Sequence, residues 1–213
     1  MAEISKLLDG FKVFKATTFE KNREIIKHLI IQEHKPSTMI ISSCDIKLAP
    51  EEIFSVNPGD FFTIFNIGGL IPKYKTEGIS GIISALEYGV NILEVDTIMV
   101  LSNTKNISSK MIMSDNFNNE KNNISPAMKT WLSIANEARE AVIKQMPNAS
   151  KEEQEMAFER EAVIITVQNL MTYPYIKEKV EKNKLKVLGW QFDIESGDIK
   201  ALNHDTAVFD TIS

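Results

Sequence analysis

Two hydrophobic rhythms run through this chain. From Thr17 to His34 the apolar residues Phe19, Ile25, Ile26, Leu29 and Ile30 recur at helical spacing, with Glu20, Lys21, Arg23, Glu24 and Lys27 between them. That pattern predicts an amphipathic helix, which Pro36 ends. Thr38–Ile41 and Phe61–Phe65 are short apolar runs, the second following the turn Asn57-Pro58-Gly59-Asp60; both read as buried strands. From about Gly78 to Glu94 the chain is apolar nearly all round, which predicts a helix buried on more than one side. Thr97–Leu101 reads as a third strand. Strand, helix, strand in this order predicts a parallel pair joined by a right-handed crossover.

The second half turns helical. Asp115–Asn123 is polar and Asn-rich, hence a surface loop. Ser125-Pro126 opens a helix with Met128, Trp131, Leu132, Ala135, Ala138 and Val142 on one face, broken at Pro147-Asn148. Ser150 and Glu153 fit a reciprocal capping box at the start of a long helix to about Leu170. Thr172-Tyr173-Pro174 starts another, to about Asn183. The chain closes with Leu185, Val187, Trp190, Phe192 and Ile194, a turn at Ser196-Gly197-Asp198, then Ile199 and Leu202: a hairpin with glycine at the turn. The expectation is one α/β domain over 1–213, with a helical arm (1–36) before an α/β core (37–213).

Composition adds constraints. The 213 residues suffice for a substantial core. A net charge of −5 with interleaved signs shows no basic stripe, so nucleic acid is not an expected partner. No apolar stretch approaches the roughly 20 residues of a membrane helix, and the first residues lack the pattern of a secretory leader. With a single cysteine, Cys44, no internal disulfide can form, and the cytoplasm is the expected location.

The candidate chemistry lies in five short segments: Ser43-Cys44-Asp45-Ile46-Lys47, Asn66-Ile67-Gly68-Gly69-Leu70, Ala85-Leu86-Glu87-Tyr88, Asn103-Thr104-Lys105-Asn106 and Asn169-Leu170-Met171-Thr172-Tyr173-Pro174. In order and spacing they resemble the β-carbonic anhydrases of bacteria, and Leu8-Asp9-Gly10-Phe11, Pro50-Glu51-Glu52-Ile53-Phe54 and Lys184–Trp190 extend the resemblance over nearly the whole chain. It implies a β-carbonic-anhydrase-like fold: a central, mostly parallel sheet flanked by helices, an N-terminal helical arm and a C-terminal hairpin. It also implies a dimer or tetramer in which the arm wraps a neighbour.

The family carries Cys-x-Asp-x-Arg at the first segment and His-x-x-Cys at the fourth, and its zinc sits on those two thiolates and one imidazole. Here the three positions hold Ser43, Asn103 and Asn106. A serine hydroxyl does not ionise near neutral pH, and amide oxygens are weak zinc donors. No zinc or other cofactor is therefore expected, and no confident catalytic residue. Asp45 and Lys47 are the remnant of the family's aspartate–arginine pair, read as a structural salt bridge or as an anion-handling pair. Phe65 departs from the arginine of many relatives. The register puts Ser43 rather than Cys44 at the ligand position; strand alternation would then turn Cys44 away as a small core residue. His28, His34 and His204 form no ligand spacing with it. Gly68-Gly69 lacks a phosphate-loop pattern and reads as tight backbone packing.

The leading expectation is a zinc-free relative inactive in CO2 hydration, serving assembly or the binding of a small anion such as bicarbonate, with a catalytic paralogue as a further partner. The alternative is an active carbonic anhydrase or a repurposed lyase, using an unrecognised metal site or Asp45 and Lys47.

Overall fold

The apolar runs come together in one six-stranded sheet in a computed structural model that describes residues 2–31, 35–75, 80–114 and 124–212. Its strands are β1 (Thr38–Ser43), β2 (Phe61–Asn66), β3 (Thr97–Asn103), β4 (Lys186–Phe192), β5 (Ile199–Asn203) and β6 (Val208–Thr211), in the order β2-β1-β3-β4-β5-β6. The first four are parallel, and β5 and β6 are added antiparallel. The predicted hairpin is β4–β5, and β6 extends it by a strand that the sequence reading did not anticipate. Ile40, Ile41, Ile98, Val100 and Leu101 are buried, the near-continuous burial of central parallel strands covered on both faces.

The helices are α1 (Ala2–Phe14), α2 (Arg23–Ile31), α3 (Pro50–Ile53), α4 (Gly81–Glu87), α5 (Ile107–Met113), α6 (Pro126–Leu132), α7 (Asn136–Gln145), α8 (Lys151–Leu170) and α9 (Pro174–Glu181). On one face of the sheet, Met39, Ile41, Ile98 and Val100 meet Leu86, Val163, Val167 and Ile176. The opposite face is closed by Ile53, Phe54, Leu188 and Trp190 around Ile40, Met99 and Leu101. A third cluster joins Leu132, Ala138, Val142 and Phe158. Across the first face, α8 lies so close to β4 that a Cβ on Gly189 would stand 2.8 Å from Val163 Cγ1.

Several element expectations need correction. The arm is helical from Ala2, with a π-helical stretch at Lys15–Phe19 before α2. Leu7, Leu8, Phe11 and Phe14 are the apolar residues that extend it. The helix expected over Gly78–Glu94 starts at Gly81, where the Ser80 hydroxyl accepts from the Ile83 N–H, and ends in a π-helical stretch, Tyr88–Ile92. It buries one face only: Leu86, Gly89 and Val90 face inward, while Tyr88 and Ile92 are exposed. Pro126 opens α6 as expected, but a 3-10 turn at Ser133–Ala135 divides it from α7. The Ser150–Glu153 capping box is formed as read. The expected loop at 115–123, His34, and positions 78 and 79 lie outside the described residues.

Candidate functional site

Parallel pairing brings the C-terminal ends of the inner strands together. Ser43 ends β1 opposite Asn66 at the end of β2, and Asn103 ends β3. Ser43, Asn66, Asn103 and Asn106 are all buried. The five sequence segments thus converge in part: the first, second and fourth meet at this end of the sheet, with α8 behind them.

The Ser43 hydroxyl donates to Asp45 Oδ1 and accepts from the Gly68 N–H at 3.0 Å. Asp45 Oδ2 accepts from the Ser108 N–H at 2.8 Å, so its carboxylate caps the N-terminus of α5, where negative charge is favoured. Asn66 braces the neighbouring turn, donating to Leu70 O at 3.0 Å and accepting from the Leu70 N–H at 2.8 Å. That turn needs its glycines. Gly68 and Gly69 have φ of 79° and 61°, and a Cβ on Gly69 would meet the Ser42–Ser43 backbone at 3.3 Å. Tight packing, not a phosphate cradle, is their role.

Each of the two asparagines commits one amide hydrogen to a backbone carbonyl. Asn103 Nδ2 donates to Thr104 O at 2.9 Å and Asn106 Nδ2 to Asn103 O at 2.8 Å. Because both acceptors are carbonyls, the amide nitrogens must be the atoms in contact. Both Oδ1 atoms are left buried without a protein partner.

Two sequence expectations fail here. Asp45 and Lys47 form no ion pair among the described residues: Asp45 is held by Ser43 and Ser108, while Lys47 is exposed on the turn after β1. Cys44 is exposed rather than buried, because β1 ends at Ser43 and strand alternation no longer governs the next residue.

Glu159 is the residue that the sequence reading missed. It is 2% exposed on the inner face of α8, and Oε1 accepts from the Asn106 N–H at 2.9 Å. Burial pushes its pKa up to about 7, against the lowering pull of the Asn106 and Lys105 N–H groups. Oε2 has no protein partner. The signal in the sequence is spacing: Glu159 shares a helical face with Ala162, Val163 and Thr166.

Among the described residues, no group of three or more His, Cys, Asp or Glu side chains could hold a metal ion. His28 and His204 are exposed on α2 and after β5, away from this cluster. No helix among the described residues is long and apolar enough to cross a membrane.

The family model for carbonic anhydrase matches residues 38–199. The chain is 32% identical to carbonic anhydrase 1 of Escherichia coli O157:H7 over 206 residues, 97% of this chain and 91% of that protein. It is 28% identical to β carbonic anhydrase 3 of Arabidopsis thaliana over 91% of this chain and 74% of the relative. Among solved structures, the β-carbonic anhydrase CcaA superposes with a TM-score of 0.89 at 26% identity, covering 99% of this chain and all of that one. A tetrameric β-carbonic anhydrase from Sordaria macrospora follows at 0.81 and 21% identity, over 95% and 98% of the two chains. With its fold, its ordered segments and these likenesses agreeing, the chain belongs to the β-carbonic anhydrase family.

Proposed function

We propose that this chain is a zinc-free member of its family, inactive in CO2 hydration, whose role is assembly. The observation that carries the reading is the donor set at the end of the sheet. The hydroxyl of Ser43 and two neutral amides stand where the resemblance places two thiolates and an imidazole. Zinc favours nitrogen and sulfur ligands, and a single carboxylate, Asp45, does not replace them. Zinc does not fit these residues, and no step is derived through it. Their hydrogen bonds favour the same reading, since Ser43 and Asp45 satisfy one another and the α5 terminus instead of leaving an open coordination shell.

Assembly is favoured over anion binding. Each amide nitrogen that would bind bicarbonate is buried and already gives one hydrogen to a backbone carbonyl, while Lys47, the charge expected to hold the anion, is exposed on the turn after β1. Meanwhile Ile4, Leu7, Leu8, Phe11 and Phe14 are all exposed along the arm, as are Ile30 and Ile31 on α2. An apolar helix face of this extent calls for a covering surface, and a second copy of the chain supplies one. The tetrameric relative supports that choice.

Metal analysis of tag-free protein expressed with added zinc tests the reading. Less than about one-tenth of a zinc per chain is expected, together with CO2 hydration no faster than in buffer. Near one zinc per chain, resistant to a mild chelator, would overturn it in favour of the enzyme alternative.

A further inference from the structure

Between the sheet and α8 lies a small, partly open cavity of about 10 Å³ whose wall includes Ser43, Gly69, Ser102, Glu159 and Ala162. The volume is close to the minimum that holds one water molecule. Purely apolar cavities of this kind stay dry, but this wall includes Glu159, whose Oε2 is buried without a protein partner. It also contains Ser43. That hydroxyl donates to Asp45 and accepts from Gly68, which leaves one lone pair free.

The surrounding hydrogen bonds form a ring with one link missing. Glu159 Oε1 holds the Asn106 N–H; two residues along, the Ser108 N–H holds Asp45; and Asp45 holds the Ser43 hydroxyl. Ser43 and Glu159 then face each other across the cavity with no direct bond between them.

We propose that this cavity is a built site for a single water molecule, hydrogen-bonded to Glu159 Oε2, as acceptor when the carboxyl is protonated and as donor when it is ionised, and donating a hydrogen to Ser43 Oγ. The water closes the ring and ties α8 to the end of β1 and to the 104–108 turn. The site rests on the zinc-free reading, because a metal on Ser43 would take the lone pair that the water uses; metal analysis tests that reading separately.

A high-resolution crystal structure of the wild-type chain is the test. One spherical density peak within hydrogen-bond distance of both atoms is expected; a cavity without density, or a peak bonded to neither atom, would overturn the proposal. Ala162→Val provides a second test by directing methyl groups into the same space. It should abolish the peak and speed amide exchange of the Asn106 and Ser108 N–H groups roughly tenfold relative to amides of β4. Unchanged exchange in a folded variant that has lost the peak would refute the water's part in closing the ring.

Discussion

At Glu159 the fold holds a carboxyl in a place that resists its charge. Its pKa in the folded chain, about 7, lies above the ordinary 4.5, so the folded state binds the proton more tightly than the unfolded one. Stability from this group is therefore full below about pH 4.5, declines as pH rises through the window up to about 7, and levels off above it. The whole change is roughly 3 kcal/mol, from the size of the shift. Glu159→Gln cannot titrate, yet its amide oxygen still accepts from Asn106. Urea unfolding at pH 5 and pH 8 should show that the variant lacks much of the wild-type decline and gains on the wild type at the higher pH. Equal slopes in the two proteins would mean that the carboxyl is solvated. Apart from its place on the face of Ala162, Val163 and Thr166, nothing in the local composition marks this residue. Glu155, Arg160 and Glu161 surround it in sequence and make the stretch look like a solvated helix face. Its hydrogen-bond partner is 53 residues away, beyond the reach of any short-range pattern.

Among the elements, β1, β3 and α8 were legible beforehand, whereas the short α5 was not, although Ile112 and Met113 are buried in the core. β1 and β3 have continuous apolar runs, and α8 has a capping box readable from Ser150 and Glu153 alone. The helical arm over 1–36 came from the resemblance, while periodicity reached only Thr17–His34, because Leu7, Leu8 and Phe11 meet no core in this chain; the break between α6 and α7 was missed because a 3-10 turn keeps nearly the same spacing of apolar positions. The contact between α8 and β4 was equally invisible, since it depends on a glycine being opposite a valine 26 positions earlier in the sequence. Gly189→Ala should test it. The added methyl meets Val163 Cγ1 at 2.8 Å and Leu202 Cδ2 at 3.1 Å, and Val163 is branched at Cβ and stiff. Overpacking of about 1–3 kcal/mol is expected, read as a lower denaturant midpoint with an unchanged slope. A midpoint equal to that of the wild type would show that α8 can slide on the sheet.

For the molecule as a whole, apolar surfaces among the described residues remain uncovered at the arm, at the α4 end with Tyr88 and Ile92, and at both outer strands of the sheet, β2 with Phe65 and β6 with Val208. An open strand edge is itself a pairing surface. In the proposed assembly the arm matters most, so the double substitution Leu8→Asp, Phe11→Asp should lower the mass measured by light scattering while leaving the circular dichroism of the core intact. An unchanged mass would place the contact elsewhere. The exposed Cys44 has a further practical consequence. As the chain's only thiol, one residue beyond Ser43, it accepts a single fluorophore or spin label without any substitution. Every labelled molecule then has its reporter beside the end of the sheet, and in a symmetric dimer the label-to-label distance is a single value that separates arrangements with these sheet ends close together from those with them far apart.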